Sequence, residues 1–422
     1  MLEKITYAGT ASRSYAQASQ LLAKLAGLEV DDKQVERLTR AIGHERLAER
    51  TAAVQEFQDL PLAEKFAVPE GVPAPDLAVV MVDGGRMQIL DRSRAATASD
   101  AARAAAPPAA GVEGDWEEEA SLPHGHWRED KVGLLLTMQS QVCAADPCPE
   151  IPESFVDPLR IPRLVRELKK NVKEGEDAAG AMEEPEVVDQ ALEEHAQYEP
   201  PKVQTRQVRA SRSTWPSFAP LLAQAAWQWG FQGAARKAFV ADGANNNWVL
   251  QRRFFGSFVA ILDFIHVLTY VFAAAMAGRK FAAAWPIYTQ WISWVWQGQV
   301  TKVIAAVAAR QAELGKPAAE EAETSPRKVV DKTLTYLRNH QDKMHYDQYR
   351  QAGLPITSSH MESIVKQINL RVKGTEKFWS EDGGEAILQM RADHLSDDQP
   401  LDDFWKRRQA KATGQRPHRK AS

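Results

Sequence analysis

LAVVMVDGGRMQIL, residues 77–90, is the stretch on which the reading of the fold turns. Leu77 to Val82 is a continuous, β-branched-rich apolar run of buried-strand length. Asp83-Gly84-Gly85 interrupts it, and Met87 to Leu90 resumes it, which predicts two short strands joined as a hairpin. A carboxylate is thereby expected at the tip of a buried strand, with glycine behind it to allow close backbone approach and positive φ. Upstream, VPEGVPAP (68–75) is a Pro- and Gly-rich boundary.

Downstream, residues 93–122 are rich in Ala, Pro and Glu and predict a flexible excursion. KVGLLLTM (131–138) is a third strand. Residues 140–213 carry Pro147, Pro149, Pro152, Pro158 and Pro162 and then an acidic stretch. They predict a helical or partly disordered insertion without strands. Trp215 to Trp229 reads as a helix, and KAFVA (237–241) as a fourth strand that ends at Asp242-Gly243. Phe258 to Leu262 is a fifth. From there to His345 the periodicity is helical, with Trp285, Trp291, Trp294 and Trp296 as its core. Ser359 to Lys373 is a further helix, capped by Ser358 or Ser359 after the Gly353-Leu354-Pro355 turn.

Upstream of the boundary, Leu21, Leu22, Leu25 and Leu28 recur at helical spacing. Asp32 is placed to cap a helix from Lys33 to Gly43, and the pair has the look of a helix-turn-helix or of two simply packed helices. The organisation is therefore an N-terminal helical region (1–67), a first core part (76–275), a helical insertion (276–348), a last core part (349–395) and a basic tail (396–422).

The chain has 422 residues, 44% apolar and 26% charged, as in a soluble globular protein. Its net charge of −4 excludes a uniformly basic nucleic-acid binder, but the sign is uneven. Glu174 to Glu199 is acidic, whereas Lys202 to Arg212 and the tail, with Arg407, Arg408, Lys411, Arg416 and Arg419, are basic. Two cysteines, Cys143 and Cys148, exclude a disulfide scaffold and point to a reducing cytoplasm. No signal peptide opens the chain. The most apolar stretch, Phe254 to Ala277, holds Asp263 and His266 at its middle, so it reads as core and not as a membrane span.

Asp83, Asp242 and Glu362 are the candidate catalytic and metal-binding residues. Two leave strand ends, and the third lies one turn into a helix, where the dipole keeps it ionised. An Asp-Gly after a strand is usually only a turn, and a lone helical Glu is usually solvated; the joint pattern carries the signal. Hard carboxylate oxygens suit Mg²⁺, or Mn²⁺ in its place. Two such ions about 4 Å apart serve phosphodiester cleavage. Asp263 and His266, one turn apart, read either as a pair beside the metals or as a buried polar pair fixing a helix start. Trp248 reads as core packing, with base stacking as the alternative. Lys366, Arg371 and Lys373 are candidate DNA contacts, set against an ordinary solvated face.

The segments VVMVDGGRMQ (79–88), KAFVADGANNNW (237–248), VAILDFIHVLTYVFAAA (259–275) and YRQAGLPITSSHMESIVKQINLRVKGTEKFW (349–379) resemble those of bacterial insertion-sequence transposases of the ISKra type. The resemblance implies an RNase H-like α/β core: a mixed five-stranded sheet flanked by helices, in which the first and fourth strands lie side by side. It places the family's first aspartate on Asp83, its second on Asp242 and its glutamate on Glu362. It implies strand cleavage at element ends and transesterification into target DNA, by a homo-oligomer bound to double-stranded DNA in the bacterial cytoplasm, at the nucleoid. A nuclease without strand transfer, or a catalytically silent or truncated DNA-binding remnant, are the alternative expectations.

Overall fold

The computed structural model describes residues 1–90, 116, 127–173, 199–374 and 377–411. The excursion expected at 93–122, apart from Trp116, lies outside these residues, as do most of the acidic stretch and the end of the basic tail. Among the described residues the fold is α/β, a mixed six-stranded sheet flanked by helices. The strands are β1 (Leu77–Ile89), β2 (Trp127–Gln139), β3 (Lys202–Ser211), β4 (Arg236–Ala241), β5 (Val259–Leu262) and β6 (Phe378–Trp379). Their order is β3-β2-β1-β4-β5, with β6 pairing the far end of β1. β1, β2 and β3 are antiparallel neighbours, and β4 is parallel to both β1 and β5.

The helices are α1 (Leu2–Ala11), α2 (Tyr15–Ala26), α3 (Asp32–Asp59), α4 (Leu62–Lys65), α5 (Arg160–Lys173), α6 (Trp215–Gln228), α7 (Asn245–Phe254) and α8 (Phe264–Met276). They continue with α9 (Phe281–Trp296), α10 (Val300–Leu314), α11 (Pro326–Asn339), α12 (Tyr346–Gln351), α13 (Ser359–Val372), α14 (Glu381–His394) and α15 (Pro400–Ala410). No helix among the described residues is long and apolar enough to cross a membrane.

Two expectations about strands are corrected. β1 is one 13-residue strand that runs straight through Asp83-Gly84-Gly85, not a hairpin. Its hairpin partner is β2, with Gly85 opposite Asp130 and Gly84 opposite Lys131. Neither glycine takes a positive φ. Gly85 serves space: a Cβ there would lie 2.6 Å from Oδ2 of Asp130, whose side chain is fully buried. The second correction is β3, inside the stretch expected to hold no strand. β3 is an edge strand whose first half exposes Lys202, Gln204 and Arg206, so its buried apolar residues are only Val208 and Ala210. With one expected strand too many at 77–90 and β3 and β6 unforeseen, the sheet has six strands in place of five.

Side-chain alternation assigns the two faces. A Cβ on Gly133 of β2 would meet Leu222 and Phe218, so that face is covered by α6. The opposite face carries Asp83, Gly85, Met87 and Ile89. It is covered by α13 and α14, whose Gly384 sits against Met87 and Ile89.

The N-terminal region is helical as expected, but α3 extends well past Gly43, and its cap is Asp31, which accepts from the backbone N–H groups of Lys33 and Gln34. α3 docks along α14. Arg46 pairs with Asp393 at 2.9 Å and Arg50 with Glu385 at 2.8 Å. At Gly43 the backbones approach so closely that a Cβ would stand 2.8 Å from the Ala386 carbonyl oxygen. Gly43→Ala therefore forces the helices apart, and we expect a loss of about 1–3 kcal/mol in denaturant unfolding. An unchanged midpoint would show that the two helices do not depend on this contact.

The basic tail is largely neutralised where it is described. On α15, Arg407 pairs with Glu49 and Arg408 with Glu45, both on α3, while Lys406 pairs with Asp403.

Candidate active site

β1 and β4 run side by side, and their pairing ends at Met81 opposite Val240. Asp83 and Asp242 follow at the same end of the two parallel strands. Asp83 is thus a mid-strand residue placed just beyond the last β4 partner, not a strand tip. Its Oδ1 accepts from the Gly84 N–H at 2.7 Å. Asp242 opens a tight turn: its Oδ1 accepts from the Ala244 N–H at 3.0 Å and from the Asn247 amide at 2.9 Å. Gly243 supplies the positive φ of 105° that the turn requires.

Glu362 lies in the first turn of α13, and its N–H donates to the Ser358 carbonyl at 3.2 Å. Ser358 is the cap residue, as expected, although its hydroxyl makes no capping bond. The start of α13 is instead held by Asp263. Its Oδ1 accepts from the Ser358 N–H at 2.9 Å, and its Oδ2 accepts from the His266 N–H at 3.1 Å and meets His266 Nδ1 at 2.5 Å. The Asp263 N–H donates to the Ala241 carbonyl at 2.9 Å. Asp263 thus ties the end of β4 through its backbone N–H, and the starts of α8 and α13 through its fully buried carboxylate. These are the elements that carry Asp242, His266 and Glu362.

The negative charges of Asp242 and Glu362 both act on Asp83. Burial, then the negative charge of Asp242, pushes the Asp83 carboxyl up to about 7, with Glu362 adding to the rise and His266 opposing it. Burial disfavours a charged His266. The hydrogen bond to Asp263 and the charges of Asp263, Asp242 and Asp83 outweigh that cost and lift the ring to about 10. The charges of Asp263, Asp242 and Asp83 thus favour the charged form of His266. Asp263 and His266 together fix the start of α8.

Oxygen-only side chains of one sign at the end of two parallel strands are the donor chemistry that Mg²⁺ and Mn²⁺ take. Among the described residues no three His, Cys, Asp or Glu side chains converge closely enough to form a ready-made cation cage. The arrangement is an open one.

The remaining candidates separate. Trp248 is buried, 6.3 Å from the Phe239 ring and 6.0 Å from His340, which corrects the base-stacking alternative in favour of packing. Arg371 is also a correction. It is buried, its Nε donates to the Gly9 carbonyl at 3.1 Å, and its guanidinium lies 4.3 Å from the Tyr15 ring centre, so it joins α13 to the N-terminal helices and presents nothing to DNA. Lys366 is half-buried one turn beyond Glu362. Lys373 is half-buried with its ammonium 5.5 Å from the Trp127 ring centre, away from Asp83 at the other end of α13.

The sequence did not flag Asn247, Tyr336 or Asp130. Asn247 had a signal in the Asn245-Asn246-Asn247 run, whose last member returns to Asp242. Asp130 shares the sheet face of Asp83. Its two carboxyl oxygens are buried without a hydrogen-bond partner among the described residues, and burial, with Glu129 adding to it, raises it to about 7. Since the folded value exceeds the unfolded one, the folded protein holds a proton that the unfolded chain releases, and stability falls as pH rises from about 4 to about 7. Asp130→Asn removes that slope, which is on the order of 4 kcal/mol at full extent. Urea unfolding of both proteins at pH 5 and pH 8 checks this. Parallel pH dependences would exclude Asp130 as the source.

No protein-family model and no curated protein matches the chain.

Proposed function

We propose that the chain is a DNA transposase that uses Asp83, Asp242 and Glu362 to hold two divalent cations, cleaves phosphodiester bonds at element ends and joins them to target DNA. The supporting observation is the juxtaposition of Asp83 on β1 with Asp242 at the exit of its parallel neighbour β4, with the charges of Asp242 and Glu362 both acting on Asp83. The strand order β3-β2-β1-β4-β5 is compatible with an RNase H-like core. The sequence resemblance supplies the element-end specificity and the strand-transfer step.

Asp83, Asp242 and Glu362 would hold the cations, which would supply Lewis acidity to the attacking and leaving oxygens of the displacement. Asp263 keeps the three carrying elements in register through its bonds to Ala241, His266 and Ser358. His266 offers a fixed positive charge on the same side as the carboxylates, suited to a phosphate oxygen drawn into the site. Asn247 and the Ala244 N–H restrict the Asp242 carboxylate to one orientation.

The test is incubation of purified protein with Mg²⁺ or Mn²⁺ and DNA spanning the genomic flanks of its own coding sequence, scoring nicked, cut and joined products. Cleavage with joined products supports a transposase. Cleavage without joining would reduce the assignment to a nuclease, and binding without metal-dependent cutting would reduce it to a DNA-binding remnant.

A further inference from the structure

The exit turn of β4 is braced from an unexpected direction. Tyr336, on α11 of the helical insertion, donates its hydroxyl to the Asp242 carbonyl at 2.8 Å. Its ring lies directly against Gly243, where an added Cβ would stand 2.8 Å from Cε2 of the ring. Tyr336 does not act alone. Its ring stacks on Tyr270 of α8 at 3.9 Å between centres and 10° between planes. Its own carbonyl meets His340 Nδ1 at 2.8 Å, and His340 packs on Trp248 of α7. A row of aromatic side chains from α8, α11 and α7 thus closes around a turn whose φ of 105° an L side chain rarely adopts.

We propose that Tyr336 is a positioning residue for the cation site, fixing through the Asp242 carbonyl and Gly243 the turn that presents the Asp242 carboxylate. The inference rests on the proposed catalytic role of Asp242 and deepens it. A carboxylate at a turn with no brace samples several orientations, and a hard cation binds only those that complete its oxygen set. Asn247 and the Ala244 N–H hold the carboxylate itself, and the Tyr336 hydroxyl holds the backbone from which it is presented. The hydroxyl also links the helical insertion to the site, since α11 meets the Asp242-Gly243 backbone through this contact.

Tyr336→Phe removes the hydroxyl and keeps the stack. Mn²⁺ binding, followed by the electron paramagnetic resonance signal of free Mn²⁺, should weaken about five- to tenfold. The Mn²⁺ concentration for half-maximal DNA cleavage should rise by the same factor, with the cleavage rate at saturating Mn²⁺ nearly unchanged. A purely structural tyrosine would lower the melting temperature and leave Mn²⁺ affinity alone. Folded Tyr336→Phe with wild-type Mn²⁺ affinity overturns the inference while leaving the catalytic assignment standing. Wild-type protein whose Mn²⁺ binding matches that of Asp242→Ala overturns both. Should Tyr336→Phe not fold, Tyr270→Leu, which loosens the same ring from its other side, serves in its place. A weakened Mn²⁺ affinity in that variant supports the brace, and an unchanged one overturns it.

Discussion

Asp83→Asn is expected to lower the proposed metal-dependent DNA cleavage by about a thousandfold or more, without destabilising the protein. The size follows from the task assigned to this side chain. A carboxylate that holds the cations provides several kcal/mol of transition-state stabilisation, and each 1.36 kcal/mol is about tenfold in rate. The stability half follows from the surroundings. Asp83 is crowded by the charges of Asp242 and Glu362 and loses water on folding, so its charged form is a strained one without a cation. Asparagine keeps the shape and removes the repulsion, so the melting temperature of the metal-free protein should hold or rise. Cleavage assayed beside thermal unfolding checks both halves. Residual activity above about a tenth of wild type contradicts the role given to Asp83.

The largest effect on stability is expected far from that site. Arg350 of α12 is fully buried, with its guanidinium 3.9 Å from the Trp296 ring centre and its Nη2 donating to the Trp296 carbonyl at 3.0 Å. Its ion-pair partner is Asp146, in the segment between β2 and α5, which accepts from Arg350 Nε at 2.9 Å. The Trp296 indole in turn donates to the Cys148 carbonyl at 2.7 Å. Three remote pieces of chain, 141–157, α9 and α12, meet on one cation. Arg350→Ala leaves the Asp146 carboxylate without its partner and a cavity over the indole, and should cost about 3–5 kcal/mol. Arg350→Met fills the volume and should recover part of the loss. Denaturant unfolding of both variants decides. A cost below about 1 kcal/mol for Arg350→Ala would mean that the pair is dispensable.

What the sequence revealed, and what it hid, follow from the range of the interactions involved. β4, β5, α6 and α13 were legible because each carries its own periodicity and its own stop: the Asp242-Gly243 turn, the Asp263 cap, the Gly353-Leu354-Pro355 turn. The glycines at 84 and 85 misled. Read locally they signal a turn, but Gly85 is there for the buried carboxylate of Asp130, which reaches it only through strand pairing. β3 was obscured because polar residues fill its exposed first half, leaving Val208 and Ala210 as its buried apolar pair. Arg371 looked like surface charge because nothing near it in sequence announces Tyr15 and the Gly9 carbonyl. The same limit hid Tyr336, whose link to Asp242 exists only once the insertion has folded back over β4. Asp242 and Glu362 were visible as strand-exit and helix-start positions, whereas Asp83 reads as a strand end and is mid-strand. The clamp between the elements that carry Asp242 and Glu362, Asp263 with Ala241, His266 and Ser358, was visible only as one polar pair in an apolar run.

Crystals soaked in Mn²⁺ and measured at the manganese absorption edge give the most direct test of the metal site. The account predicts anomalous peaks bounded by Asp83 and Asp242, with Glu362 turned toward at least one of them. Soaked crystals in which manganese binds elsewhere, and these three carboxylates hold none, would contradict it.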